Sequence, residues 1–106
     1  IIDENGTPWM SFGSFWDGLK LVRLTDDLMQ VAQPEEWYSI SRRKRTFELD
    51  DKDPGDGAVE APFIFRHKDY YYLFASFDYC CRGLKSDYKV VVGRSKVPIL
   101  TRTENQ

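Results

Sequence analysis

Histidine is nearly absent from this chain of 106 residues, which holds one, His67. Cysteine is as scarce: there are two, and they are neighbours, Cys80-Cys81. Nothing in that supply has the spacing of a zinc site or of a disulfide framework. Adjacent cysteines can close only a strained ring with each other. Free thiols or another partner are therefore favoured over a vicinal bridge, and the redox compartment stays open. No apolar run approaches the roughly 20 residues of a membrane span, and no signal-peptide pattern opens the sequence. Charge of one sign is lacking too, since the formal net charge is −2 and the pI about 5.4. That balance gives no steering toward nucleic acid and no basic domain. The chain begins at Ile1 rather than Met, so upstream residues are expected to be missing, through a lost leader or a truncated parent.

What the chain has is aromatic and apolar residues in strand-like order. It is 42% hydrophobic and 15% aromatic, too apolar for a disordered chain and long enough for one small core. Ile1-Ile2 reads as the end of a strand. Asn5-Gly6 is a hairpin signal, because a type I′ turn needs positive φ at both central residues. Pro8 to Phe15 returns, Trp16-Asp17-Gly18 turns, Leu19 to Leu24 alternates as a half-buried strand, and Trp37 to Ile40 makes a fourth. The basic run Ser41-Arg42-Arg43-Lys44-Arg45 reads as a solvated loop or strand edge. Phe47 to Gly57 has the composition of an exposed connection and lacks the ligand spacing of a calcium loop. Pro62 to Phe65, Tyr70 to Phe77 and Tyr88 to Gly93 are strands, with a polar turn at Arg66 to Asp69 and a loop from Asp78 to Asp87. Val97 to Leu100 begins a further edge strand, where a proline is tolerated.

The two halves repeat. Ser11-Phe12-Gly13-Ser14-Phe15 aligns with Leu73-Phe74-Ala75-Ser76-Phe77 at an offset of 62 residues. A recurring meander of about four short antiparallel strands is the signature of propeller blades, although their usual period is roughly 40–50 residues. The acidic connection accounts for the excess. Two unrelated hairpins in one β-sandwich are the competing architecture.

One carboxylate stands out in Gly57-Ala58-Val59-Glu60-Ala61-Pro62-Phe63-Ile64-Phe65. A charge among small and apolar neighbours must stay hydrated, find a partner or keep its proton, and the last is what a general acid does. The bland reading is a Glu facing water just before a strand. In blade order the start of the first strand, the end of the second and the start of the third share one edge. That edge gathers Glu60, the loop Asp78-Tyr79-Cys80-Cys81-Arg82 and Tyr88, with Phe15, Trp16 and Asp17 from the other repeat. Aromatic faces around a carboxylate suit an uncharged sugar.

The segments Trp9 to Gly18, Val59-Glu60-Ala61-Pro62-Phe63-Ile64, Tyr70 to Gly83 and Val91 to Lys96 resemble the endo-1,5-α-L-arabinanases of glycoside hydrolase family 43. After Lys96 the likeness ends. The resemblance implies an all-β chain: two consecutive blades of a five-bladed β-propeller, each an antiparallel meander of about four strands. Residues 1–46 would resemble the third blade, 47–57 a connection, and 58–106 the fourth. It implies inverting hydrolysis of arabinan, with Glu60 as general acid. The substrate contacts read from blade order are Phe15, Trp16, Asp78, Tyr79, Cys80 and Cys81, with packing between blades the alternative for Phe15 and Trp16. The general base and the Asp that tunes the acid would lie upstream of Ile1, and Asp3 belongs to a hairpin turn instead. It also implies a partner in arabinan or arabino-oligosaccharide, not nucleic acid or membrane. Missing blades or self-association would cover the open faces, any calcium would sit at the axis of the full-length protein, and the location would be periplasmic or extracellular. Other family activities, arabinofuranosidase or xylosidase, and a non-catalytic sugar-binding or assembly segment are the alternatives.

Overall fold

The computed structural model describes residues 1–15, 17–43 and 57–96. Trp16, Lys44-Arg45, all of the acidic connection but Gly57, and the edge strand expected at Val97 to Leu100 lie outside them. The described residues form two antiparallel sheets, each of three strands. The first contains β1 (Trp9–Ser14), β2 (Gly18–Arg23) and β3 (Trp37–Ser41). The second contains β4 (Val59–His67), β5 (Tyr70–Phe77) and β6 (Lys89–Ser95). Both are simple meanders, in the order β1-β2-β3 and β4-β5-β6. No helix among the described residues is long and apolar enough to cross a membrane.

Sequence periodicity leads to about four strands per repeat, and three appear in each sheet. The Ile1-Ile2 strand is reduced to a single bridge, Ile2 to Pro8. The Asn5-Gly6 turn also differs from its expected type, since only Gly6 of the pair has positive φ. Asp3 is the reason. Its Oδ1 accepts the amides of Asn5 and Thr7 at 2.9 Å each, and its carbonyl accepts Gly6 N–H at 3.0 Å. This side-chain cap sets the turn before the glycine is reached. Burial pushes the Asp3 carboxyl up, but the Trp9 indole donating to Oδ2 at 2.8 Å and the two amides outweigh it and hold it below the usual value.

Alternation along β2 points Leu19 and Leu21 to one side, and Ile40 of β3 joins them; all three are buried. They meet Val59, Ile64, Tyr71, Leu73 and Ala75 of the second sheet and Trp9 of the first, so one core lies between the sheets. β4 runs against β1 and β2. Each fully buried Leu or Val there contributes roughly 1.5–3 kcal/mol. The other face of the second sheet is different: Phe63, Phe65, Val90 and Val92 are half or more exposed.

β4 starts earlier than Pro62 suggested. Val59 pairs with Phe77 and Glu60 with Ser76, and only then does the register slip before Phe63 meets Phe74. Ala61, φ 54°, takes the left-handed conformation at that bulge. His67 is the last strand residue and not part of the turn, which is Lys68-Asp69.

Candidate active site

The edge where β4 begins, β5 ends and β6 begins is fixed by pairing: Val59 faces Phe77, and Phe77 faces Lys89. Glu60 therefore stands in a strand, half-buried, rather than in a loop before one. Its Oε1 accepts a hydrogen bond from the Tyr88 hydroxyl at 2.8 Å. A phenol donor holds the carboxyl in one orientation. Ala61, Asp78 and Cys81, three of the five non-glycine residues with positive φ among those described, belong to the two segments that meet at this edge. Backbone strain of about 1–3 kcal/mol each is tolerated where surrounding structure over-determines it, and it gathers at functional sites.

The loop after β5 carries most of the other candidates. Cys80 and Cys81 are bonded to each other, which corrects the expectation of free thiols or another partner. Cys81 sits at φ 70°, and hydrogen bonds pin the loop on both sides of the bridge. Tyr79 N–H donates to Asp87 Oδ1 at 2.9 Å, Asp87 N–H to the Tyr79 carbonyl at 3.0 Å, and Arg82 N–H to Ser86 Oγ at 2.9 Å. The Tyr79 ring packs edge-on against Phe15 of the first sheet, with centroids 5.6 Å apart, and the Arg82 guanidinium covers it at 3.9 Å. Phe15 and Tyr79 thus join the two sheets at this edge. Trp16, the remaining candidate, lies outside the described residues. Asp17 is exposed and ion-paired with Lys20 at 2.7 Å.

Asp78 is placed differently from an open sugar contact. Its Oδ1 accepts from Arg43 Nη1 at 2.6 Å, and its Oδ2 is paired with Lys89. The hydrogen bond from Arg43, then that from Lys89, hold the carboxyl below its ordinary value. A depressed carboxyl contributes stability that is fully present above about pH 4 and is lost as pH falls through the lower folded value. The expected result is that Asp78→Asn lowers the unfolding midpoint at pH 7, and that the gap to the parent chain narrows on acidification below pH 4. A gap that stays constant from pH 7 to pH 2 would contradict this assignment.

Arg43 does not stand out in its sequence; it sits in a basic run that reads as solvated. Its side chain is instead three-quarters covered. No group of three or more His, Cys, Asp or Glu side chains among the described residues is placed to hold a metal ion. His67 lies at the far end of β4 from Glu60, exposed and stacked near Phe65. The described residues therefore do not fit a metal centre.

A hydrogen-bonded carboxylate flanked by aromatic rings and a bridged cysteine pair can supply one acid or base and a stacking surface. The sequence matches the family Glycosyl hydrolases family 43 over residues 1–105. An extracellular exo-α-(1→5)-L-arabinofuranosidase of Cellvibrio japonicus is 56% identical over 96 residues, 91% of this chain and 28% of that protein. An extracellular endo-α-(1→5)-L-arabinanase of Bacillus subtilis is 43% identical over 94 residues, 89% of this chain and 26% of that one. Among solved structures, an α-L-arabinanase of Cellvibrio cellulosa superposes with a TM-score of 0.85 at 55% identity, over 92% of this chain and 31% of that chain. That arabinanase has also been solved with arabinohexaose bound. The chain spans roughly a quarter to a third of the length of these relatives.

Proposed function

This chain belongs to glycosyl hydrolases family 43, and on that premise we propose that it is the acid-bearing part of a hydrolase of α-1,5-linked L-arabinan. Glu60 is its general acid. The observation that carries the reading is Glu60 in the opening of β4, its carboxyl held by Tyr88, at the sheet edge where β5 ends and leads into the loop of Tyr79 and the Cys80-Cys81 bridge. The relative with bound arabinohexaose supports an arabino-oligosaccharide as the ligand.

An inverting glycosidase protonates the leaving oxygen with one carboxyl and activates water with another, the two about 6.5–9.5 Å apart. Glu60 is the first of these carboxyls, and it gives its proton to the glycosidic oxygen as the bond to the anomeric carbon breaks. The base and the tuning Asp belong to sequence outside these residues. In this reading residues 1–46 and 58–106 are consecutive blades of a five-bladed propeller joined by 47–57. The exposed Phe63, Phe65, Val90 and Val92 then face a further blade or a second copy. Any calcium belongs to the axis of the longer protein, and the extracellular relatives support secretion.

The test compares the 106-residue chain with one extended to the relatives' length. The short chain is expected to release no reducing ends from linear arabinan, and the extended one to release them. Cleavage by the short chain that Glu60→Gln abolishes would refute the division of labour; inactivity of the extended chain would refute the hydrolase reading. Product length decides the mode of attack. A ladder of oligosaccharides is expected for endo action, whereas the exo-acting Cellvibrio relative makes release of short units from one end the second reading.

A further inference from the structure

We propose that Arg43 is a positioning residue for Glu60, acting across the two sheets. The inference rests on Glu60 being the general acid. Arg43 follows the end of β3 in the first sheet, yet it engages Ala58, Asp78 and Phe77 of the second. Its Nη1 donates to the Ala58 carbonyl at 3.0 Å and to Asp78 Oδ1 at 2.6 Å, and its guanidinium lies 4.3 Å from the centre of the Phe77 ring. The Ala58 carbonyl receives a second bond from Asp78 N–H at 3.0 Å. Lys89 holds the other oxygen of Asp78. One cation therefore fastens the residue before β4, the residue after β5 and the last ring of β5.

Ala58 is two residues ahead of Glu60, and Ala58 and Val59 are fully buried. Beyond Glu60 the strand is interrupted by the bulge at Ala61. The backbone of Glu60 is thus short of regular pairing on its C-terminal side. Its position depends on the N-terminal side, where Arg43 acts, and on Tyr88 at the carboxyl. A planar guanidinium suits this role, because it can stack on Phe77 while donating in its own plane. Without it the Ala58 carbonyl keeps one donor and Asp78 keeps Lys89 alone, and the start of β4 is free to shift. A displacement of about 1 Å in a reacting group can cost on the order of a hundredfold in rate.

The test uses the chain extended to the relatives' length and two substrates, arabinohexaose and a dinitrophenyl arabino-oligoside whose leaving group departs without protonation. Arg43→Ala is expected to lower kcat on arabinohexaose by roughly ten- to a hundredfold with KM within about threefold, and kcat on the dinitrophenyl substrate by less than about threefold. Arg43→Lys keeps the charge beside Asp78 and loses the flat stack, so it should show the same contrast in weaker form. If Arg43→Ala does not fold, Arg43→Lys decides alone. An equal loss on both substrates would make Arg43 merely structural, and no loss on either would remove the role; both outcomes overturn the proposal. Glu60→Gln is the reference. If it shows no contrast between the substrates, the general-acid reading itself has failed and takes the Arg43 proposal with it. A contrast for Glu60 without one for Arg43 rejects the latter only.

Discussion

Glu60→Gln, made in the chain extended to the relatives' length, is expected to lower kcat on linear arabinan by roughly 10²–10⁴-fold, the usual worth of a positioned general acid. Glutamine keeps the shape and still accepts from Tyr88 through its carbonyl oxygen, but it has no proton to give. The loss should therefore fall on kcat, with KM nearly unchanged. Tyr88→Phe separates positioning from chemistry: it removes the donor at 2.8 Å that orients the carboxyl and keeps the acid itself. A Glu60→Gln protein within about threefold of the parent on arabinan would assign the acid to another side chain.

The second large effect is expected at Gly18. This first residue of β2 has φ +80°, and a Cβ there would lie 2.2 Å from the Ser41 carbonyl oxygen and 2.9 Å from Arg42 Cα. Both neighbours are backbone, so neither can swing aside as a side-chain tip would. Gly18→Ala should destabilise the fold by about 2–4 kcal/mol, combining left-handed strain with a forced shift of the end of β3. Gly6→Ala is the matched control, because Gly6 has the same φ of +80° and nothing within 4 Å of its Cβ position. It should cost only the conformational part, about 1–2 kcal/mol. Equal unfolding midpoints for the two variants would show that the close approach at Ser41 has no energetic consequence. Because the displaced segment leads directly into Arg43, Gly18→Ala should also weaken hydrolysis of arabinohexaose.

Some of this was legible in the sequence and some was not. β5 could be read to the residue, since Tyr70 to Phe77 is a run rich in aromatics bounded by Asp69 and Asp78. The start of β4 could not, because Pro62 looks like a strand's first residue and the small residues before it carry no period. The pattern resumes in the opposite phase across the bulge. Asn5-Gly6 announced a turn without fixing its type, which depends on a carboxylate two residues earlier. Glu60 was legible by its neighbours and its motif. The closure of Cys80 onto Cys81 was not, as composition and spacing do not decide between neighbouring free thiols and a bridge. Arg43 was the hardest to find. Its decisive carboxylate partner is 35 residues away, so a local reading sees only a basic run. Spatial pairing at that distance leaves no trace in spacing.

The bulge at Ala61 has a consequence for changes in chain length. Val59 and Ile64 are five positions apart and both buried in the core. In an unbroken strand an odd separation would send them to opposite faces. The one surplus residue reconciles them, so Val59 and Ile64 both reach the interior while Phe63 and Phe65 stay outside. Removing a single residue between Glu60 and Phe63 would leave Val59 and Ile64 four positions apart, an even separation. β4 could then run on as a regular strand with the same partners from Phe63 onward, and only the bulge would be lost. A deletion there should therefore spare the core and act on the carboxylate, whose strand loses the local bend that the bulge gives it.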